Sequence, residues 1–369
     1  MIASERVLGL DIGGANLKAA TASGLADSMP FSLWREPENL WRRVAELIQR
    51  FPQPQVLAVT MTGELCDCFP DKVSGVRHII AAVQQAAGMI PLAIWTLEAR
   101  FRAPESVLQQ PQSAAAANWL ALAHLAAQWL AQSQPVQRDA GAVKNTLPGN
   151  DQPGTKHNRR WQLLLDIGST TTDLIPIVDG KPAPRGRTDL QRLREGELIY
   201  LGVRRTPLCA LLPLVSHAGR NFRPAAEWFA DIQDAFLVLN LVPEQPDWNQ
   251  TADSRPATTA YARARVARML CAEPEELSDA ALAEIAQQAL TAWEREWRRV
   301  WQSWQQRFGQ PPDSVLLSGE GEWWGDHLLQ RCGYTGRVIS LAQQLSPRLS
   351  QAACAYAVAR LYADQADYR

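Results

Sequence analysis

The sequence predicts a two-lobed α/β protein, and three observations lead to this fold class. Apolar strands alternate with amphipathic helices in the first third of the chain. An Asp-Ile-Gly hairpin occurs twice, at residues 8–20 and 163–177, and the two copies lie about 155 residues apart. A segment at 132–160, rich in glycine, proline and polar residues, separates the halves. Two copies of one hairpin around a connecting segment predict two similar lobes with a ligand cleft between them.

The first lobe, residues 1–135, is predicted to alternate short buried strands with amphipathic helices. The run at 113–131 is uncharged but rich in alanine, which makes it too weakly apolar for a membrane span and favours a buried helix. The predicted strands are 7–10, 16–21, 56–60 and 92–95, and the predicted helices are 38–51, 73–87 and 113–131.

The second lobe, residues 161–348, follows a linker predicted at 136–160 and contains more helix. Thr258 and Ser278 are candidate helix N-caps. Between 278 and 308, four tryptophans recur at spacings of four, four and three, which favours a core-facing helix face over an aromatic binding platform. The C-terminal segment 349–369 is expected to pack back on the first lobe. The predicted strands are 161–167, 171–178, 315–317 and 338–339, and the predicted helices are 258–270, 278–308, 323–330 and 351–361.

Composition excludes several classes of protein. Lys and Arg number 37 against 38 Asp and Glu, so the chain lacks the basic excess of an electrostatic nucleic-acid binder. The N-terminus has no apolar run of the signal-peptide kind, and the six scattered cysteines are typical of reduced thiols, so a cytoplasmic protein without a membrane role is expected. The five histidines show neither metal-ligand spacing nor a partner for a catalytic triad.

The repeated hairpin has the features of a phosphate-binding loop. Glycine lets the backbone approach a phosphate, while small hydroxyl side chains and N–H groups donate to its oxygens. An aspartate at the strand end, Asp11 or Asp166, is a candidate Mg²⁺ ligand. A third Gly-x-Gly turn follows a strand at 315–317. The candidate phosphate-binding or nucleotide-binding residues are Asp11, Gly13, Gly14, Asn16, Gly168, Ser169, Thr170, Thr171, Gly319 and Gly321.

Each hairpin taken alone is also typical of an ordinary turn, and the pair is the stronger signal. We expect the two loops to face each other across one cleft, with the Asp11 and Asp166 carboxylates near a common point. Gly14, Gly168 and Gly319 are expected where a side chain would collide with ligand or strain the backbone.

Longer motifs carry a family resemblance that spans nearly the whole chain. They are TMTGELCDCFPDKVSGV at 60–76, DIGSTTTDLIPI at 166–177, TDLQRLREGELIYLGVRRTPL at 188–208 and LSGEGEW at 317–323. With them the chain resembles the actin/Hsp70/sugar-kinase (ASKHA, ribonuclease H-like) architecture. Within that class it is similar to the hydantoinase/oxoprolinase family, in the group linked to tetrahydromethanopterin-dependent one-carbon transfer and methanofuran biosynthesis.

The resemblance implies a transferase that joins a tyramine-type phenol to an aminomethylfuran methyl diphosphate and releases diphosphate. Mg²⁺ is the implied metal, ATP binding is left open, and a homodimer is compatible with the sequence. Lys18, together with Arg204 or Arg205, would neutralise charge on the leaving group. The residues that could help a phenol ionise are Glu64, Asp67, Lys72 and Glu197, and the sequence does not rank them.

Alternatives stay open for the residues and for the function. Lys72 is also typical of a surface charge, Glu64 of a helix cap and Asp67 of a turn residue. Glu197 and Arg204 could instead form a structural pair. An ATP-dependent kinase or a hydantoinase/oxoprolinase-like enzyme is the alternative function. A non-catalytic actin-like scaffold is the second alternative, and it would not need the polar GEL-x-Y-x-G-x-x-RT cluster.

Overall fold

Two six-stranded β-sheets, one in each half of the chain, organise the protein. The computed structural model describes residues 4–132 and 160–366. Almost all of the linker predicted at 136–160 therefore lies outside the described residues. The lobe boundaries at 135 and 161 stay predictions for the same reason.

The first sheet has the strand order β3-β2-β1-β4-β5-β6. Its central strands β1 and β4 are buried at every position and pair in parallel. The strands are β1 Val7–Ile12, β2 Asn16–Thr21, β3 Ala26–Pro30, β4 Val56–Met61, β5 Leu92–Trp95 and β6 Phe101–Arg102. The helices of this half are α1 Leu40–Gln49, α2 Lys72–Ala87, α3 Pro104–Gln109 and α4 Asn118–Gln132.

The second sheet has the order β10-β8-β7-β13-β14, and β9 pairs with β8 beside this path. Its strands, with the separate hairpin of β11 and β12, are β7 Trp161–Ile167, β8 Thr172–Val178, β9 Lys181–Pro182, β10 Leu198–Ile199, β11 Val215–His217, β12 Arg220–Phe222, β13 Ser314–Ser318 and β14 Arg337–Ser340. The helices are α5 Asp189–Glu195, α6 Leu208–Leu211, α7 Ile232–Val238, α8 Thr259–Arg268, α9 Asp279–Phe308, α10 Glu322–Arg331, α11 Leu341–Gln344, α12 Pro347–Gln351 and α13 Ala353–Ala366.

The two sheets repeat one arrangement around their aspartates. Asp11 on β1 lies opposite Lys18 in the antiparallel pair and beside Thr60 in the parallel pair. Asp166 on β7 lies opposite Asp173 and beside Ser318 in the same way. This duplication confirms the predicted two-lobed α/β fold.

The lobes share a core built from two helices, α4 and α13. The C-terminal helix α13 packs across β1, β2 and β4 of the first sheet, and it also packs against α4. Helix α4 comes from the first half of the chain but packs on β7, β8 and β9 of the second sheet. One continuous apolar cluster therefore contains residues of both sheets and both helices.

The long helix α9 presents its tryptophans to the core, as predicted. Ser278 caps it by accepting the Ala281 N–H at 3.2 Å. Trp297 donates from its indole nitrogen to the Leu328 carbonyl at 3.1 Å, and Trp304 donates to the Gly196 carbonyl at 3.0 Å. The buried tryptophans of this face are Trp293, Trp297, Trp301 and Trp304.

Two local expectations differ in detail from the structure. Helix α8 begins after Thr258, but the Thr258 side chain makes no capping hydrogen bond. Glu244 replaces it by accepting the Thr259 N–H at 2.8 Å. The alanine-rich run at 113–131 forms a turn at residues 114–116, and the buried helix α4 begins only at Asn118. Across residues 4–132 and 160–366, no helix combines the length and apolar character required to cross a membrane.

Gly9→Ala is expected to destabilise the fold by about 1–3 kcal/mol, the usual cost of overpacking. A methyl group on Gly9 would lie 2.9 Å from the Ala355 carbonyl carbon and 3.0 Å from the Ala359 nitrogen, both in the backbone of α13. Urea denaturation measures the change. Gly168→Ala is the matched control, because its added methyl meets only the Thr171 carbonyl at 3.6 Å. Equal midpoints for Gly9→Ala and the wild type would contradict this account of the shared core.

Candidate functional site

A cavity of about 570 Å³ lies where the two Asp-Ile-Gly loops meet. The first loop reaches it through residues between Asp11 and Asn16, and the second through residues between Asp166 and Thr171. Both loops therefore face one cleft, as their duplication leads one to expect. Thr62, Glu64, Trp119 and Arg192 extend the cleft wall beyond the loops.

The structure brings most of the sequence-predicted site residues to this cleft, but not all of them. Those that line it are Asp11, Gly13, Gly14, Asn16, Lys18, Glu64, Asp67, Asp166, Gly168, Ser169, Thr170 and Thr171. Those that do not line it are Lys72, Glu197, Arg204, Gly319 and Gly321.

Three carboxylates and one ammonium group are concentrated at the base of the cleft. Asp11 is buried, and its Oδ1 has no hydrogen-bond partner among the described residues. Burial raises the pKa of Asp11, against the opposing effect of Lys18. Burial, followed by the charge of Asp173, raises the pKa of Asp166 to about 7, although Ser318 donates a hydrogen bond to it at 2.6 Å. Burial acts to lower the pKa of Lys18, but the surrounding carboxylates more than offset it and the pKa is raised.

A buried ion pair supports this base, and sequence reasoning missed it. Arg192 donates to Asp173 at 2.5 Å, and its guanidinium lies 4.2 Å from the centre of the Trp119 ring. All three residues line the cleft. The signal for Asp173 was present in the repeat, because it follows Asp166 at the same interval at which Lys18 follows Asp11.

The carboxylates at the base suit a metal ion that arrives with phosphate groups. Among the residues that the structure describes, no group of three or more His, Cys, Asp or Glu side chains has the geometry of a metal site. Mg²⁺ needs less from a protein, since it is usually held by one or two carboxylates together with water and substrate phosphates. The unpartnered Oδ1 of Asp11 and the carboxylate of Asp166 fit that role.

Glu64 follows strand β4 and is buried in the cleft wall. Its Oε2 has no hydrogen-bond partner among the described residues, and its Oε1 lies 3.9 Å from Lys72 Nζ. Lys72 is engaged more closely by Asp189 of the second lobe, at 2.7 Å. Burial raises the pKa of Glu64 to about 7. The alternative that Glu64 caps the next helix is wrong, because Asp71 caps α2 through the Ser74 N–H at 2.7 Å.

Glu197 lies outside the cleft and has a structural role. It is fully buried and accepts hydrogen bonds from the backbone N–H groups of Arg185 at 2.7 Å and Gly186 at 2.9 Å. Arg307 also forms an ion pair with the Glu197 carboxylate, at 3.0 Å. These contacts tie the loop before α5 to the end of α9, and the anticipated pairing of Glu197 with Arg204 is wrong.

Two neighbouring arginines point to different surroundings. Arg204 pairs with Glu320 and donates to Gln245 at 3.0 Å. Its guanidinium carbon lies 4.7 Å from the centre of the Trp248 ring. Arg205 lines the cleft, and its guanidinium carbon lies 4.3 Å from the centre of the Trp34 ring in the first lobe. Within 4–132 and 160–366, no carboxylate forms an ion pair with the Arg205 guanidinium. Arg205 is therefore the free arginine of the cleft.

Aromatic side chains form the mouth of the cleft beside Arg205. Trp34, Tyr200 and Trp228 all line it, and Tyr200 and Trp228 are exposed. Trp228 is held in place by the Asp231 carboxylate, which accepts its indole N–H at 2.8 Å. The cleft thus has a charged base and an aromatic mouth.

The third glycine turn, at 319–321, packs against the protein itself. Gly319 has a φ of +90°, and a Cβ there would lie 2.7 Å from Asp166 Oδ1. A Cβ on Gly321 would meet Ile167 at 2.5 Å and Val203 at 2.7 Å. At Gly319 a side chain would therefore collide, as expected, but with atoms of the protein. At Gly168 no protein atom would oppose a Cβ closer than 3.6 Å, so the room there opens on the cleft.

The comparison with protein families decides the relationship. The hydantoinase/oxoprolinase family model matches residues 152–365, which is more than half of the chain. The chain belongs to the hydantoinase/oxoprolinase family. Two curated relatives share the name (4-{4-[2-(gamma-L-glutamylamino)ethyl]phenoxymethyl}furan-2-yl)methanamine synthase. The protein from Methanocaldococcus jannaschii is 27% identical over 98% of this chain and 98% of its own length. The protein from Methanococcus vannielii is 40% identical over 31% of this chain and 52% of its own length.

A solved structure also resembles this hydantoinase/oxoprolinase family member. It is a nucleotide-free structure of acetone carboxylase, with a TM-score of 0.52 and 10% identity, covering 96% of this chain and 70% of that one. At that level of identity the likeness concerns the fold alone.

Asp166→Asn is expected to stabilise the metal-free protein at pH 8 and to lose most of that advantage at pH 5. The pKa of Asp166 is about 7 in the folded protein against an ordinary 3.8, so folding favours its protonated form. The wild type therefore loses stability as the pH rises from about 4 to 7, whereas the amide does not titrate. Thermal midpoints of the two proteins at both pH values give the comparison.

Asp247→Asn, at an exposed carboxyl outside the cleft, is the matched control and should leave the midpoint unchanged at both pH values. A difference between Asp166→Asn and the wild type that is the same at pH 5 and pH 8 would contradict the burial of charge at this position. A large fall in the midpoint would make Asp166 a structural residue.

Proposed function

We propose that the chain is a transferase of methanofuran-type cofactor biosynthesis. It would join the phenol oxygen of a tyramine-type acceptor to the methylene carbon of an aminomethylfuran methyl diphosphate and release diphosphate. The observation that carries this proposal is one cleft with two phosphate-type loops at its base and aromatic rings at its mouth. The name of the Methanocaldococcus jannaschii relative, a phenoxymethylfuran methanamine synthase that aligns with nearly the whole chain, supports the same reaction.

The two hairpin loops would hold the diphosphate group. Ser169, Thr170 and Thr171 line the cleft in the second loop, and residues 13–16 line it in the first. Their hydroxyls and free backbone N–H groups would donate to the phosphate oxygens. Backbone amides in glycine-containing loops form concave anion sites. The open space beside Gly168 leaves room for a phosphate oxygen close to the backbone.

Cationic groups would stabilise the leaving group as its bond to carbon breaks. Lys18 lies at the base of the cleft and Arg205 nearer its mouth, so they can contact a diphosphate from two sides. Asp11 and Asp166 would hold Mg²⁺, which when bound supplies further positive charge to the diphosphate oxygens. Fixed charges of this kind act where negative charge develops.

The aromatic mouth would bind the two rings that react. Trp34 and Trp228 come from different lobes, and each presents a flat apolar surface to the cleft. Aromatic pairs prefer offset-stacked or edge-to-face contacts and add stability beyond the area they bury. Closure of the lobes around both rings would bring the phenol oxygen to the methylene carbon.

The alternatives draw less support from this geometry. An ATP-dependent enzyme of this architecture would be expected to place an adenosine against the third glycine turn. That turn lies outside the cleft, is packed on Ile167 and Val203, and is held by the Arg204–Glu320 pair. A scaffold would not need, in the same cleft, an arginine without an ion pair and a buried glutamate whose Oε2 lacks a hydrogen-bond partner among the described residues.

The proposed reaction can be tested directly with purified protein and Mg²⁺. One arm contains an aminomethylfuran methyl diphosphate and tyramine, and the other contains ATP and tyramine. Phosphorus NMR follows diphosphate, and mass spectrometry detects the ether. Ether and diphosphate that appear together, only when the phenol is present, support the transferase. ADP formation in the second arm, without ether in the first, would favour the ATP-dependent alternative.

Arg205→Gln is expected to lower turnover by about 10²–10³, the usual effect of removing one electrostatic contact from a transition state. The neighbouring Arg204→Gln is the matched control. It removes the same charge from a side chain already engaged by Glu320 and Gln245, and it should change turnover far less. Initial rates of diphosphate release measure both variants. A greater loss for Arg204→Gln would reverse the assignment.

A further inference from the structure

We propose that Glu64 is the general base that accepts the proton of the phenolic acceptor. This inference rests on the transferase function proposed above. It selects one residue from the four candidates that the sequence leaves unranked.

The position of Glu64 is unusual for a carboxylate. Its residue exposure is 1%, yet it forms part of the cleft wall, and no hydrogen-bond donor among the described residues reaches its Oε2. A buried acceptor without a partner costs about 1–3 kcal/mol. A ligand hydroxyl that donates to Oε2 would remove this cost, so the empty hydrogen-bonding position favours a substrate O–H.

The charges around Glu64 keep it available as a base. Lys72 on α2 is 3.9 Å from its Oε1, too far for a hydrogen bond, because Asp189 on α5 holds the ammonium at 2.7 Å. Burial raises the pKa of Glu64 to about 7, while Lys72 opposes the rise and Asp189 adds to it. The backbone N–H groups of Glu64 itself and of Ala116 also oppose the rise in this pKa. A base with a pKa near neutrality combines correct ionisation with useful basicity.

Other titratable groups near Glu64 are less suited to this task. Burial raises the pKa of the Cys66 thiol to about 11 and also raises the pKa of Tyr200, so both stay protonated at neutral pH. Arg205 is a cation and opposes both of these shifts. Asp67 is exposed to solvent, and Glu197 lies outside the cleft.

The proposed step balances in atoms and electrons. The phenol transfers its proton to Glu64 Oε2, and the oxygen lone pair forms a bond to the methylene carbon of the diphosphate ester. The bond from that carbon to the diphosphate oxygen breaks, and its electron pair leaves with the diphosphate. Glu64 later returns the proton to solvent.

The decisive experiment compares Glu64→Gln with the wild type on two acceptors of different acidity. Tyramine has a phenol pKa near 10, whereas a nitrophenol is largely ionised at pH 8 and needs no base. Glu64→Gln should lose about 10²–10⁴ in rate with tyramine and only a small factor with the nitrophenol. Equal losses with both acceptors, or no loss with tyramine, would overturn the proposal.

Two controls distinguish a failure of the Glu64 proposal from a failure of the proposed transferase function. Glu46→Gln removes a carboxylate on the exposed face of α1, where it pairs with Arg43, and should leave both rates unchanged. A wild-type protein that releases diphosphate with neither acceptor would refute the transferase itself, and the proposed base with it.

A measurement on the wild type alone covers the case in which Glu64→Gln does not fold. With tyramine, kcat/KM should rise with pH up to about 7 and then level off, as the carboxylate loses its proton. With 2,4-dinitrophenol, which is already ionised at pH 5, that limb should be absent. The same limb near pH 7 for both acceptors would assign it to another group and overturn the proposal.

Discussion

The arrangement of the cleft depends on one ammonium group among three buried carboxylates. Lys18 occupies in the first hairpin the position that Asp173 occupies in the second, so the duplicated loops bring unequal charges together. Arg192 neutralises Asp173 through a direct ion pair, which leaves Lys18 to balance Asp11 and Asp166. Buried charges persist only when they are paired or when a ligand completes them. An excess of negative charge at the base therefore favours a site completed by cations carried in with an anionic substrate.

Most of the fold could be predicted because its signals are local. Each hairpin is encoded within some fifteen consecutive residues, and the tryptophan stripe of α9 follows directly from helical periodicity. The phosphate-type loops were found for the same reason, since glycine and hydroxyl residues after a strand are visible without tertiary contacts. Helix α5 and the short strands β9 and β10 were not predicted, because they contain few residues and little periodicity.

The identity of the working side chains could not be read in the same way. Arg204 and Arg205 are adjacent and chemically alike, and only the position of Glu320 on a distant turn distinguishes them. Glu64 and Glu197 both follow a glycine and precede a leucine, yet one faces the cleft and the other binds a loop. In each pair the deciding contacts involve residues far away in sequence, so sequence patterns gave candidates and tertiary packing gave roles.

The shared core of α4 and α13 has a consequence for how the chain is made. Strands β1, β2 and β4 leave the ribosome well before the helix that covers them, which begins about 290 residues after β4 ends. Translation at roughly 5–20 residues per second leaves that apolar face bare for tens of seconds. During that interval the apolar face is open to aggregation unless a chaperone covers it. A ribosome that stalls late would release an incomplete first lobe with this surface exposed.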